Sequence, residues 1–442
     1  MPRKGPSWLA GLAALGALMA PAMAQTIAEA TLDEHGGPVK GVAVSADGSR
    51  ALTASFDYSV ILWDLQGHEP LAHLYGHDAA VNDVAFLPGD RAISASDDGT
   101  LALWDLAGER RTAQLSGHSG KVAAIAAAPD GRLAASAGWD RTVRVWDLET
   151  AAQILEIPAR DNVNVVQFSP DGTRILAGNS DGSIQVWRAA DGSQLAVLNG
   201  HDFAVTALDL AADGRLAATG SVDETVQLWD LEQGERALTL FGHEGPVLTV
   251  ALSPDRSLVA SGGIDGTVRV WRRGDGDRLR VWRRHGGAVW SVAFTPDGRT
   301  LLSGGADGLV VSHRLDQEPE AGDAEMAATE AAAPETDQRG AELFRKCVAC
   351  HTVTPDGGHR AGPTLHGLFG RVAGSRPGYP YSPALRESDL VWTAATIDRL
   401  FDVGPETLVP GSKMPLQRMP DPTDRARLIA YLKQVTGAAG PD

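Results

Sequence analysis

Tryptophan recurs at a fixed interval: Trp63, Trp104, Trp146, Trp187, Trp229 and Trp271 follow one another at 41 or 42 residues, and His313 holds the seventh equivalent position. A repeat of this length constrains the fold more than any other feature, because each unit buries its apolar face only against its neighbours. An aspartate lies six residues before each mark, at Asp57, Asp98, Asp140, Asp181, Asp223, Asp265 and Asp307. A histidine lies 21 or 22 residues before six of these aspartates, at His35, His77, His118, His201, His243 and His285. Four of them follow glycine. Turn sequences such as Ser169-Pro170-Asp171-Gly172 and Thr295-Pro296-Asp297-Gly298 separate stretches of alternating Val, Leu and Ala. Short alternating stretches bounded by such turns read as antiparallel strands.

These marks resemble the WD-repeat family, in which each unit is one four-stranded blade. The resemblance implies an all-β, seven-bladed propeller over residues 25–315. The last unit stops soon after His313, without an outer strand of its own. Thr26 to Leu32 sits before His35 as Leu71 to Tyr75 sits before His77, so residues 26–32 are expected to complete the last blade. Closure of the ring would remove two strand edges open to pairing with other chains. The family further implies that the repeat histidines join a structural network with the turn aspartate, the tryptophan and a strand hydroxyl. The candidate hydroxyls are Thr53, Ser94, Ser136, Thr219, Ser261 and Ser303. The fourth unit loses histidine and hydroxyl together, as Ala159 and Ala177, which suits groups that satisfy each other. His68 and His73 are left unassigned and read as surface residues. No glycine-rich phosphate cradle, nucleophile elbow or spare metal cluster is visible, so the propeller reads as a scaffold with a binding face.

The chain's two cysteines lie in Cys347-Val348-Ala349-Cys350-His351. On a helix, positions i and i+3 share a face, so both thiols can reach the two vinyl groups of one porphyrin, with His351 directed at the iron. On the motif alone a redox-active or disulfide Cys-x-x-Cys pair stays open. The surrounding segment narrows the choice. An amphipathic stretch from Gly340 leads into the motif, and a second, Asp424 to Val435, carries Leu428, Ile429, Tyr431 and Leu432 at helical spacing. A loop-rich segment lies between them, and Met414 follows His351 by 63 residues. This order resembles class I cytochrome c, particularly the mitochondrial type, over residues 338–442. The resemblance implies an all-α domain with one covalent haem c and iron ligated by His351 and Met414. Met419 is the nearby competitor for the second position. It also implies that the Pro363 carbonyl receives the outer N–H of the axial histidine. Arg371, Tyr379, Tyr381 and Trp392 match residues that hydrogen-bond the haem propionates. Phe401 and Leu385 depart from the family, which places a tyrosine and an asparagine there, so the family's potential does not transfer.

Arg3 and Lys4, the apolar run Trp8 to Ala20, and Ala22-Met23-Ala24 form the pattern of a cleavable export signal, expected over residues 1–24. The expected mature protein is periplasmic, with no stable membrane span after cleavage. Residues 316–337 carry eight acidic residues and no basic one, and read as a disordered acidic linker. Net charge is −17, which argues against nucleic acid as a partner. Residues 338–442 nevertheless hold 13 basic against 10 acidic side chains, with Arg345, Lys346 and Lys413 close in sequence to the haem residues. A basic haem edge would steer toward an acidic partner, either a separate periplasmic redox protein or the propeller itself. The leading function is electron transfer rather than catalysis. Two other readings stay open: an oxidoreductase centred in the propeller with the cytochrome as relay, and a haem redox sensor.

Overall fold

The computed structural model describes residues 30–317 and, beyond them, residues 340, 343, 344, 347, 351–353, 363–379, 381–409, 419 and 422–437. The expected export signal, residues 26–29 of the closing strand, the linker from residue 318, Cys350 and Met414 lie outside the described residues.

Seven four-stranded antiparallel sheets follow one another along residues 31–314. Blade 1 is typical, with Val39–Val44 innermost, then Arg50–Ser55, Ser59–Asp64 and Glu69–Tyr75 outermost. Each inner strand packs on the next one around, and the strand of blade 7, Val289–Phe294, returns to that of blade 1. In blade 7 the outermost position is filled from the other end of the chain. Thr31 pairs with Val311 and Leu32 with Val310, and Ala30 and Ser312 exchange hydrogen bonds at 2.7 and 2.9 Å.

The repeat period sets the packing between blades. The six repeat tryptophans are 1–3 % exposed. Burial of so large a side chain contributes about 4–6 kcal/mol of transfer free energy as an upper bound. Each packs with an aliphatic residue of the preceding blade's outermost strand, as Trp104 does with Leu74 and Trp187 with Ile157. Around the axis, side chains take over where ladder bonds end. Asp83 accepts from Ile125 N at 3.0 Å, Thr249 from Val292 N at 3.1 Å and Ser291 from Val42 N at 3.0 Å, each joining one blade to the next.

At one rim of the ring each repeat histidine ties two loops of its blade together. Nδ1 meets the turn aspartate at 2.7–3.1 Å, and Nε2 meets the strand hydroxyl at 2.7–2.8 Å. In five blades the tryptophan Nε1–H donates to that same hydroxyl at 2.8–3.0 Å. The hydroxyl proton therefore goes to Nε2, and Nδ1–H donates to the carboxylate. Burial holds His35, His77 and His118 below the usual imidazole range despite the adjacent carboxylates. Blade 4 replaces this network with amides: Asn179 Nδ2 meets Gln185 Oε1 at 3.3 Å, and Gln185 Nε2 donates to Gln194 Oε1 at 2.9 Å. Arg160, beside the missing histidine, lies 3.6 Å from Asp181.

Beyond the propeller the described residues are helical and loop-rich. Gly340, Leu343, Phe344 and Cys347 are helical, and further helices span Pro383–Arg386, Ala394–Val403, Pro405–Leu408 and Pro422–Val435. Ala394–Val403 is the longest described helix within the loop-rich middle. Its start is fixed by a capping box, with Thr393 and Thr396 each bonding the other's backbone N–H, and it buries Ile397, Leu400 and Phe401 at helical spacing. These meet Phe344, Cys347, Leu428 and Leu432 in one core.

Candidate functional site

The site is built on the helical turn that carries the haem motif. His351 N donates to Cys347 O at 2.9 Å, which places the two side chains one turn apart, and Cys347 is buried in the apolar cluster of Phe344, Leu400, Phe401 and Leu428. His351 Nδ1 lies 2.7 Å from the Pro363 carbonyl oxygen. A carbonyl only accepts, so Nδ1 carries the proton and Nε2 presents its lone pair outward. Burial holds this imidazole below its usual range, with the Pro363 bond opposing. A neutral ring with a fixed tautomer is the form that binds metal.

Arg371 stands on the same side. Its Nη1 donates to His366 O at 3.0 Å and its Nη2 to Thr364 O at 3.1 Å. These bonds fix the guanidinium to the loop that follows Pro363. Arg371 acts electrostatically on both His351 and Tyr381, so the three lie in one neighbourhood. Tyr381 and Tyr379 meet edge to face with centroids 4.8 Å apart, and burial raises the Tyr381 hydroxyl above its usual range. Trp392 is joined to this group through the backbone: its N donates to Arg371 O at 2.9 Å, and its O accepts from Gly370 N at 2.8 Å. Cys347, His351, Pro363, Arg371, Tyr379, Tyr381 and Trp392 are thus brought together, while Cys350 and Met414 lie outside the described residues.

This donor set suits a haem. The neutral imidazole of His351 would ligate the iron, and the buried thiol of Cys347 would carry one covalent attachment. The apolar cluster around Cys347, which includes Leu365, Leu368, Phe401 and Trp392, would shelter the macrocycle from water. A guanidinium and two phenols are donors suited to carboxylates. Phe401 is buried and Leu385 partly buried in the same core, so both departures from the family put apolar groups where it has polar ones.

A seven-bladed propeller joined to an electron-carrier-like helical domain is the class that fold and site define. The model of the WD domain, G-beta repeat matches residues 28–64, 68–105, 109–147, 153–188, 192–230, 234–272 and 276–311, and the model of cytochrome c matches residues 338–436. The chain belongs to the WD-repeat family and carries a cytochrome c domain at its C-terminal end. Cytochrome c of Chlamydomonas reinhardtii is 44 % identical over 110 residues, which are 24 % of this chain and 97 % of that protein. Cytochrome c of Sesamum indicum is 43 % identical over 108 residues, 24 % of this chain and 95 % of that protein. Cytochrome c of Gossypium barbadense is 42 % identical over 113 residues, 25 % and 99 % respectively. The cofactor of this domain is a covalently bound haem c, and its chemistry is electron transfer.

Proposed function

We propose that this protein is an exported, periplasmic electron carrier whose haem iron is held between His351 and Met414, and whose propeller docks a redox protein. The haem supplies one-electron exchange between ferrous and ferric iron. The observation that carries the reading is the His351 Nδ1 to Pro363 O bond of 2.7 Å, which commits one ring nitrogen to the protein and leaves the other for an axial ligand. A methionine as second ligand closes the iron to substrate, which favours carriage over catalysis. Met414 suits that place by the resemblance of Pro410-Gly411-Ser412-Lys413-Met414 to the ligand segment of class I cytochrome c. Met419 is less suited, because its backbone is held at both groups: its N donates to Phe401 O and its O accepts from Arg425 Nη1, each at 2.8 Å.

In the propeller, six repeat histidines spend both ring nitrogens on loop ties, so they are not free for acid–base or ligand chemistry. That favours a docking scaffold over an oxidoreductase centre. Export is supported by the basic start, apolar core and Ala22-Met23-Ala24 of residues 1–24.

The test is to express the full chain in a host that assembles c-type cytochromes, recover it from the periplasm and reduce it under carbon monoxide. The wild type should stay closed to carbon monoxide and contain one haem. Met414→Ala should take it up and show a lower potential, whereas Met419→Ala should behave as wild type. Free binding of carbon monoxide by the wild type, or retention of protein in the cytoplasm, would overturn the corresponding half of the proposal.

A further inference from the structure

The loop that offers its carbonyl to His351 is held from three directions. Arg371 grips it through the carbonyls of Thr364 and His366, at 3.1 and 3.0 Å. Gly367 N donates to Thr436 O at 2.7 Å, and the buried Thr436 donates its own hydroxyl to Leu432 O at 2.7 Å, which ties the loop's far end to the helix Pro422–Val435. The third hold is on the segment of His351 itself. Leu365 N donates to Thr352 O at 2.7 Å, and Thr364 Oγ1 donates to the same carbonyl at 3.2 Å.

Thr352 directly follows His351, and Thr364 directly follows Pro363. The pair therefore sits beside the 2.7 Å contact between His351 Nδ1 and Pro363 O, one residue on in both segments. Both threonines are buried, at 8 % and 2 % exposure. The Thr364 hydroxyl also accepts from His366 N at 3.3 Å, so it spends its proton on the histidine's segment and a lone pair on its own loop. The Leu365 bond is backbone and survives most substitutions, whereas the second bond depends on the side chain at 364. A carbonyl held on Nδ1–H draws that proton from the ring and makes Nε2 a stronger donor. A stronger donor favours ferric over ferrous iron, so slack in this contact raises the potential.

We propose that Thr364 is a positioning residue for the axial histidine: its hydroxyl clips the Pro363 loop to the residue after His351 and so sets how strongly the ring donates to iron. Arg371 and Thr436 fix the shape and the far end of the loop, and the clip fixes its distance from the histidine's segment. The inference rests on His351 as an axial ligand. It does not depend on which group takes the opposite side of the iron.

The test is redox titration and proton NMR of the full-length holoprotein carrying Thr364→Val, with Thr364→Ser as the variant that keeps the hydroxyl. Valine has nearly the same shape without a donor or acceptor. Thr364→Val should shift the reduction equilibrium toward ferrous haem by about threefold, which is about 28 mV for one electron and the low end of what one neutral hydrogen bond contributes. Its His351 Nδ1 proton should exchange with solvent faster than in the wild type. Thr364→Ser should stay close to the wild type in both. Urea midpoints separate tuning from stability, because a residue that only holds the fold lowers the midpoint and leaves the potential alone. Thr364→Ala carries the same test if Thr364→Val does not fold. An unchanged potential in the folded variant without the hydroxyl, or an equal shift in Thr364→Ser, would overturn the proposal while His351 keeps its place. A wild type whose ferric spectrum shows no histidine-ligated haem would overturn the reading of His351, and this role with it.

Discussion

Asp209 shows how a single carboxyl on the channel wall joins two blades. Its Oδ1 accepts from Leu210 N at 2.9 Å and its Oδ2 from Leu252 N of the next blade at 2.7 Å. Burial outweighs both bonds and raises the group from 3.8 to about 6. A carboxyl raised on folding stabilises the fold fully below its ordinary value and loses that contribution as pH rises through the folded value. Asp209→Asn keeps one acceptor and cannot ionise. The wild type should therefore exceed the variant in denaturant midpoint near pH 4, and the gap should narrow by about 1–2 kcal/mol by pH 7, less than the roughly 3 kcal/mol a two-unit shift would give in a fully dry site. Taking the difference between the two proteins removes the opposite trend of the repeat histidines, whose depressed values cost stability as pH falls. A gap constant from pH 4 to 7 would show that Asp209 titrates as in the unfolded chain.

At the scale of the blade, the exception at His313 is matched by one in the neighbouring strand. Six blade boundaries pair an outer-strand Leu or Ile with a tryptophan of the next blade, as at Leu115 and Trp146 or Leu240 and Trp271. At the boundary of blades 6 and 7 the sizes are exchanged: Trp282 stands on the outer strand, opposite Val268, and stacks on His313 with centroids 4.7 Å apart. His313 also takes the tryptophan's donor role, since Ser303 Oγ lies 2.7 Å from both His285 Nε2 and His313 Nε2. Among the described residues its Nδ1 is buried without a partner, and burial keeps the ring neutral. His313→Trp alone should overfill the boundary and Trp282→Leu alone should leave a cavity, each costing about 1–3 kcal/mol, while the double variant should recover most of both losses. A double-mutant cycle that sums without coupling would refute the exchange. The loss of tryptophan at 313 was legible from the repeat; its compensation was not, because Trp282 is 31 residues away and only the register places it opposite. The haem motif was likewise legible from spacing and the Pro363 contact from the resemblance to class I cytochrome c, while the Ala394–Val403 helix carried its signals in the Thr393 cap and in Ile397, Leu400 and Phe401 at helical spacing.

For the molecule as a whole, the two ends of the propeller meet in one blade and leave it together. Val310–Arg314 runs from the rim of Asp307 to the opposite face, and Thr31–Leu32 runs back beside it, so Ala30 and Gln317 share the face away from the histidine ties. The chain toward the cytochrome domain therefore leaves the propeller on the face opposite the histidine ties. Among the described residues, this arrangement is kept closed by the pairing of Thr31 with Val311 and Leu32 with Val310, by the Ala30–Ser312 bonds, and by the buried Leu32 side chain packed in one cluster with Trp63 of blade 1. Edge closure and packing can be separated by experiment. Leu32→Ala keeps the backbone ladder and removes the packing, so it should lose about 2–4 kcal/mol, lower the melting temperature by several degrees and stay monomeric. A variant processed directly before Asp33 also exposes the N–H and C=O groups of Val310–Ser312, a free edge that pairs with other chains. It should melt lower still and form concentration-dependent oligomers in light scattering. If it remains monomeric with the melting temperature of Leu32→Ala, the closing strand contributes packing alone, and the ring is held shut by its inner strands.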